Sequence, residues 1–169
     1  MAEKSICISC RRPKASLSCE ICFEPVCKSC ERFLEASTFS FFETLPEELS
    51  HTHYCSLCYD SHVAPAFDSY SEIMERARGL YFFFDTQRKM IPVLKTSKEN
   101  VRVESCNDRD ETILRLGFLA AQQGYNAVTE AKVVCEKVRN AGYQKSKWQG
   151  VGIPAQVDAE KLERNLSRE

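Results

Sequence analysis

Glycine is scarce in this 169-residue chain, six residues in all, and none of it is gathered into a loop that could cradle phosphate. Histidine is scarcer still, with only His51, His53 and His62, so the H-E-x-x-H helix of a metalloprotease is absent and no imidazole follows residue 62. The G-x-S-x-G turn of a serine hydrolase is missing as well. No apolar run approaches the roughly 20 residues of a bilayer-spanning helix, and the most apolar stretch, Leu80 to Phe84, has the length of a strand. Neither sign of charge predominates, with 23 basic against 24 acidic side chains. The opening Met1-Ala2-Glu3-Lys4-Ser5 carries no apolar secretory segment, which argues against a disulfide framework in an oxidising compartment. The expectation is a cytoplasmic protein without a membrane span and without enzymatic activity.

What the chain has in quantity is cysteine. Eight of its ten cysteines fall before residue 59 in four C-x-x-C pairs: Cys7/Cys10, Cys19/Cys22, Cys27/Cys30 and Cys55/Cys58. Two intervening residues let one tight turn aim both sulfurs at a point, and two such turns complete a tetrahedral shell around Zn²⁺. Four pairs therefore predict two zinc ions per chain. The favoured pairing is interleaved, with Cys7, Cys10, Cys27 and Cys30 on one ion and Cys19, Cys22, Cys55 and Cys58 on the other. Sequential pairing of neighbours is the main competitor and a nested arrangement the weakest. Each tetrahedron is filled by protein sulfur, so the zinc is expected to be structural, with no position left for a catalytic water. His51, His53 and His62 are read as solvated loop residues rather than ligands.

The spacing C-x2-C-x8-C-x2-C-x4-C-x2-C-x24-C-x2-C over residues 7–58 resembles the FYVE-type zinc finger. That resemblance implies a cross-braced treble clef. It does not extend to lipid chemistry, because the basic cluster with which FYVE domains recognise a phosphoinositide is replaced by Phe23-Glu24-Pro25-Val26. RING fingers are cross-braced too but place a histidine among their middle ligands, and every middle ligand here is cysteine. A ubiquitin-ligase-type adaptor, its zinc module docking a partner enzyme, is kept as an alternative on the shared cross-brace alone.

Within this module, residues 1–62, Ser16-Leu17-Ser18 and Glu24-Pro25-Val26 read as limbs of a hairpin, and Glu31 to Glu35 as the start of a helix. Phe39, Phe41 and Phe42 are read as cover for the zinc core, with an exposed apolar loop as the sharper alternative. Residues 1–62 hold six basic and nine acidic residues, a balance of −3, which eight thiolates and two zinc ions would deepen to about −7. Such a surface repels phosphate backbones.

A linking helix is expected over residues 63–79, interrupted by Pro65 and stopped at Gly79. A small α/β domain follows over residues 80–157. Leu80–Phe84, Met90–Leu94 and Val101–Cys106 read as strands, the first two joined by the turn Asp85-Thr86-Gln87-Arg88. Asp108 with Glu111 has the form of a capping box for a helix that Gly124 stops, and Gly117, Ala120 and Ala121 supply a small-residue face for packing on a sheet. Strands over about residues 127–138 and 143–157 form a hairpin turning at Arg139-Asn140-Ala141-Gly142. Residues 158–169 form a short charged helix or tail in which Glu160 is placed to pair with Arg164.

Gly124-Tyr125-Asn126-Ala127-Val128 running into that hairpin resembles the helix–strand junction of small bacterial α/β domains of the YbjQ and RcsF type, which implies a bacterial source and a binding role. Cys106 and Cys135 have no identifiable general base and are read as strand or core thiols rather than nucleophiles. The fold class is thus α+β, a two-zinc FYVE-like treble clef followed by a small α/β sandwich with a β-hairpin. The function that follows is a zinc-binding interaction or scaffold protein with a protein partner. Nucleic-acid binding is the alternative, through the basic aromatic hairpin 132–148, where Tyr143, Lys145, Lys147 and Trp148 form the candidate face. A solvated hairpin whose lysines discourage edge-to-edge aggregation remains the simpler reading of the same residues.

Overall fold

A computed structural model describes residues 5–87 and 90–167. Lys4 and Arg88 of the sequence reading, and the last two residues of the charged tail, lie outside them. The chain forms two compact units, Met1–Ser71 and Glu72–Glu169.

In the first unit regular structure is minimal. Strands β1 (Leu17–Ser18) and β2 (Pro25–Val26) pair antiparallel, as do β3 (Arg32–Phe33) and β4 (His53–Tyr54). The helix expected from Glu31 does not form. Arg32 stands opposite Tyr54 and Phe33 opposite His53, and the Leu34 N–H donates to the Thr52 carbonyl at 3.0 Å. A partner some twenty residues away overrides local helical preference. Two-residue strands bury little, and among the described residues the apolar content of this unit sits in two small clusters. One is made of the cysteines around Val26, and the other of Leu34, Phe39, Leu49, Tyr54 and Val63 with Phe42 and Tyr70 against them. Phe39 belongs to that second cluster and is buried; its ring meets Phe42, Phe67 and Tyr70 edge-on or tilted. The phenylalanine segment covers the interior rather than presenting a loop.

Helix α1 (Ser56–Cys58), a π turn (Tyr59–Val63) and helix α2 (Ala64–Arg78) follow one another without a break. Pro65 does not interrupt the run as the sequence suggested. A proline lacks an N–H and crowds the carbonyl four residues earlier, and the widened π turn directly before it accommodates both.

The second unit is a five-stranded mixed sheet. Strand β5 (Tyr81–Phe84) lies parallel to β8 (Ala127–Asn140), which pairs antiparallel with β9 (Tyr143–Val157). Strands β6 (Val93–Thr96) and β7 (Val101–Cys106) share the far edge of β9, β6 beside Ala155–Val157 and β7 beside Trp148–Gly152. Strands β5 and β6 therefore stand on opposite sides of the hairpin and are not paired with each other. Residues alternate across the sheet. Phe82, Phe84, Val128 and Ala131 face helix α3 (Arg109–Gln122), while Tyr81, Phe83, Ala127, Ala155 and Val157 face helix α4 (Ala159–Leu166) through Leu162. A bulge at Glu130, whose φ is 50°, keeps Val128 and Ala131 on the same face although they are three residues apart.

Helix α3 begins as the sequence predicts: Asp108 Oδ1 accepts from the Glu111 N–H at 2.7 Å, and Gly124 ends it at φ 83°. The reciprocal arm lands one residue early, since Glu111 Oε2 accepts from the Asn107 N–H. In the Gly124-to-Val128 junction, Asn126 donates to the Val157 carbonyl at 3.0 Å and accepts from the Val157 N–H at 2.8 Å. That short motif is a clamp joining the start of β8 to the end of β9. In α4, Arg164 donates to the backbone carbonyl of Glu160 at 3.3 Å rather than to its carboxylate.

Candidate metal centre

The four C-x-x-C turns converge in two places. Sulfur atoms of Cys7, Cys10, Cys27 and Cys30 all lie within 4.8 Å of one another, and so do those of Cys19, Cys22, Cys55 and Cys58. These are the interleaved sets. The β1–β2 hairpin carries the second pair in its turn and the third just past its end, which sends neighbouring pairs to different sites. Strand β4 then delivers Cys55 to the site of Cys19 and Cys22, where it also caps α1 by accepting from the Cys58 N–H.

The geometry fits a zinc ion at each site. Four sulfurs at about 2.3 Å from a central ion stand about 3.8 Å apart along each tetrahedral edge. Cys10 to Cys27 and Cys22 to Cys55 are each 3.8 Å. All ten cysteines are free thiols.

The electrostatics point the same way. The N–H of Cys10 lowers the Cys7 thiol to about 6; burial opposes this, and the N–H groups of Cys27 and Ser9 add to it. Burial pushes Cys19 up, but the N–H groups of Cys22, Cys55 and Ile21 outweigh it and bring the thiol to about 7. The other members pay for that. Cys30 is pushed up to about 12, first by the neighbouring Cys27 sulfur and then by burial, and burial raises both Cys58 and Cys22. Four clustered thiols cannot all ionise without a cation among them. Zinc uptake by metal-free protein near pH 7 is therefore expected to release protons, those of Cys22, Cys30 and Cys58 among them, and to strengthen as pH rises. Calorimetry in two buffers of different ionisation enthalpy measures the release; equal heats in both would contradict it.

Around the second site, the Glu20 carboxylate accepts from the backbone N–H groups of Thr52 at 2.6 Å and His53 at 2.9 Å, which lowers its own pKa. His53 Nδ1 contacts Glu31. These two glutamates tie the second and third turns to the segment entering Cys55. The sequence reading missed both, since nothing in the spacing marks them. Neither His51, His53 nor His62 joins a sulfur set; His51 instead lies edge-on to Tyr54.

No protein family, no curated protein and no solved structure matches this chain. Two cysteine sets able to hold metal are thus the finding that stands on the molecule itself. None of the helices among the described residues is long and apolar enough to cross a membrane.

The remaining residues singled out in the sequence lie in the second unit. Tyr143, Lys145 and Lys147 are exposed and share one face of the hairpin. Trp148 does not belong with them: one residue further along the strand, it is half-buried on the opposite face, opposite Cys135 and Cys106 in the two flanking strands. Cys106 is buried and Cys135 exposed.

Proposed function

We propose that the protein is a non-enzymatic interaction or scaffold protein of the cytoplasm whose two zinc ions are structural. The observation that carries the reading is closure. Each site offers four sulfurs in one compact set, and a tetrahedral ion so held has no vacant position at which water could be activated. In this reading the first unit is a cross-braced, FYVE-like treble clef, supported by the interleaved sets and the short gap between the middle pairs. A reducing compartment is where eight such thiols remain available to metal.

A protein partner is the reading's natural occupant of the zinc-binding unit. Phe23 and Leu57 stand 79% and 70% exposed beside ligands of the same site, two apolar side chains that a docked partner would cover. Phe23 holds φ 60°, an uncommon conformation for a bulky side chain.

Cobalt(II) substitution tests closure. Two tetrahedral thiolate sites per chain are expected, with spectra unchanged by added imidazole or cyanide. A spectrum that shifts with either ligand would show an open position and end the structural reading.

A further inference from the structure

The ladders flanking the β8–β9 hairpin stop early. On one side the last pair is Phe84 with Ala131, and on the other Cys106 with Trp148. Beyond them the two strands continue together from the Glu136–Lys147 pair to the Asn140–Tyr143 pair, and every side chain from Glu136 to Lys147 is exposed. This is a two-stranded ribbon with both edges and both faces in solvent, about 17 Å long.

Directly opposed residues of an antiparallel pair share a face, so the register sorts the side chains. Lys137, Arg139, Gln144 and Ser146 lie on one face, which carries no carboxylate. Lys145 and Lys147 lie on the other with Tyr143, Val138 and Glu136. Glu136 accepts from the Gln149 side chain at 2.6 Å. Among the described residues, none of Lys137, Arg139, Lys145 and Lys147 takes part in an ion pair. Lys132 and Arg102 add positive charge at the base of the ribbon, around a shallow depression of about 250 Å³.

Cations on both faces ask for an anionic partner that surrounds the ribbon. A peptide or single strand laid on the sheet would meet only one face. The major groove of B-form DNA is about 12 Å wide, admits a two-stranded β-ribbon and is walled by phosphates on both sides. The A-form groove of duplex RNA is too narrow to admit one. We propose that the ribbon 136–147 enters the major groove of duplex DNA. The face of Lys137, Arg139, Gln144 and Ser146 lies toward the base edges, where arginine pairs with guanine and glutamine with adenine. Lys145 and Lys147 reach the flanking phosphates from the other face, while Glu136 is turned away from the groove floor. This goes beyond the binding role proposed above and uses a surface separate from the zinc sites.

Fluorescence anisotropy of the full, zinc-loaded chain tests it with a labelled 20-base-pair DNA duplex, its RNA counterpart, the single strand and polyglutamate. With four phosphate contacts, from Lys145 and Lys147 and from Lys132 and Arg102 at the base of the ribbon, affinity for the DNA duplex is expected to fall about a hundredfold between 50 and 200 mM salt. Substituting Lys145→Ala with Lys147→Ala should reduce the log–log salt slope by about two. Lys137→Ala with Arg139→Ala on the other face should weaken binding as well. Equal or tighter binding of RNA duplex, single strand or polyglutamate would overturn the proposal, as would a DNA affinity untouched by substitutions on either face. Metal content is read on the same samples. Loss of zinc counts against the structural-zinc reading, whereas metal-loaded protein that ignores the duplex counts against the ribbon.

Discussion

Removal of zinc by a strong chelator is expected to unfold the Met1–Ser71 unit while the sheet of the second unit keeps its protected amides. Among its described residues the first unit has four strands of two residues each and two small apolar clusters, one of which is largely the cysteines themselves. Domains this small seldom carry a sufficient core, and structural zinc contributes about 10–16 kcal/mol in finger peptides, comparable to the entire stability of an ordinary domain. Without the ions, the low thiols Cys7 and Cys19 lose their countercharge, and burial of the others loses its compensation. Hydrogen exchange followed by mass spectrometry reads the outcome segment by segment. Protection retained across residues 17–54 in metal-free protein would mean that the apolar clusters suffice. Cys27→Ala should likewise cost one zinc ion and most of the protection over residues 7–30, since it leaves the site one sulfur short and the third turn held by Cys30 alone.

The second large effect belongs to the sheet. Glycine at 150 and 152 lets α3 and β8 approach β9: a Cβ on Gly150 would stand 2.8 Å from Thr112 Cγ2 and 2.9 Å from Leu116 Cδ1, and one on Gly152 would overlap Val128 Cγ1. Thr112, Leu116 and Val128 are fully buried, so none has open space to yield into. Gly152→Val is expected to destabilise the second unit by about 3 kcal/mol, the upper end for overpacking a dense core. In a unit of this size that lowers Tm by about 12 °C or more. Val128→Ala in the same chain should recover part of the loss, because it removes the atoms in conflict. A Gly152→Val protein melting within two degrees of the parent would show that β9 relaxes away from its neighbours.

These two glycines also mark how sequence and structure divide the information. Gly117, Ala120 and Ala121 on α3 could be read as a packing face, because a helix repeats its own geometry locally; all three are buried. Their counterparts on β9 could not, since the need for glycine at 150 and 152 comes from what lies across the sheet. The two cysteine sets were legible for a similar reason to α3. Two residues between cysteines suffice to aim a pair of sulfurs, and the short span between Cys22 and Cys27 favours sending adjacent pairs to different ions. Strand β3 was illegible because Arg32 and Phe33 take their conformation from His53 and Tyr54. The pairing of β5 with β8 was hidden behind a polar turn that suggested a local hairpin. Trp148 is a different case. The period of a strand already separates it from Tyr143, Lys145 and Lys147, and grouping all four overlooked that alternation.

The most direct test of the central claim is the metal content of gently purified protein, read as the difference between its native and denatured mass. The account predicts two zinc ions per chain. A chain without metal, or one whose denatured mass is low by the hydrogens lost to disulfides, would contradict it and turn the eight cysteines into a redox system.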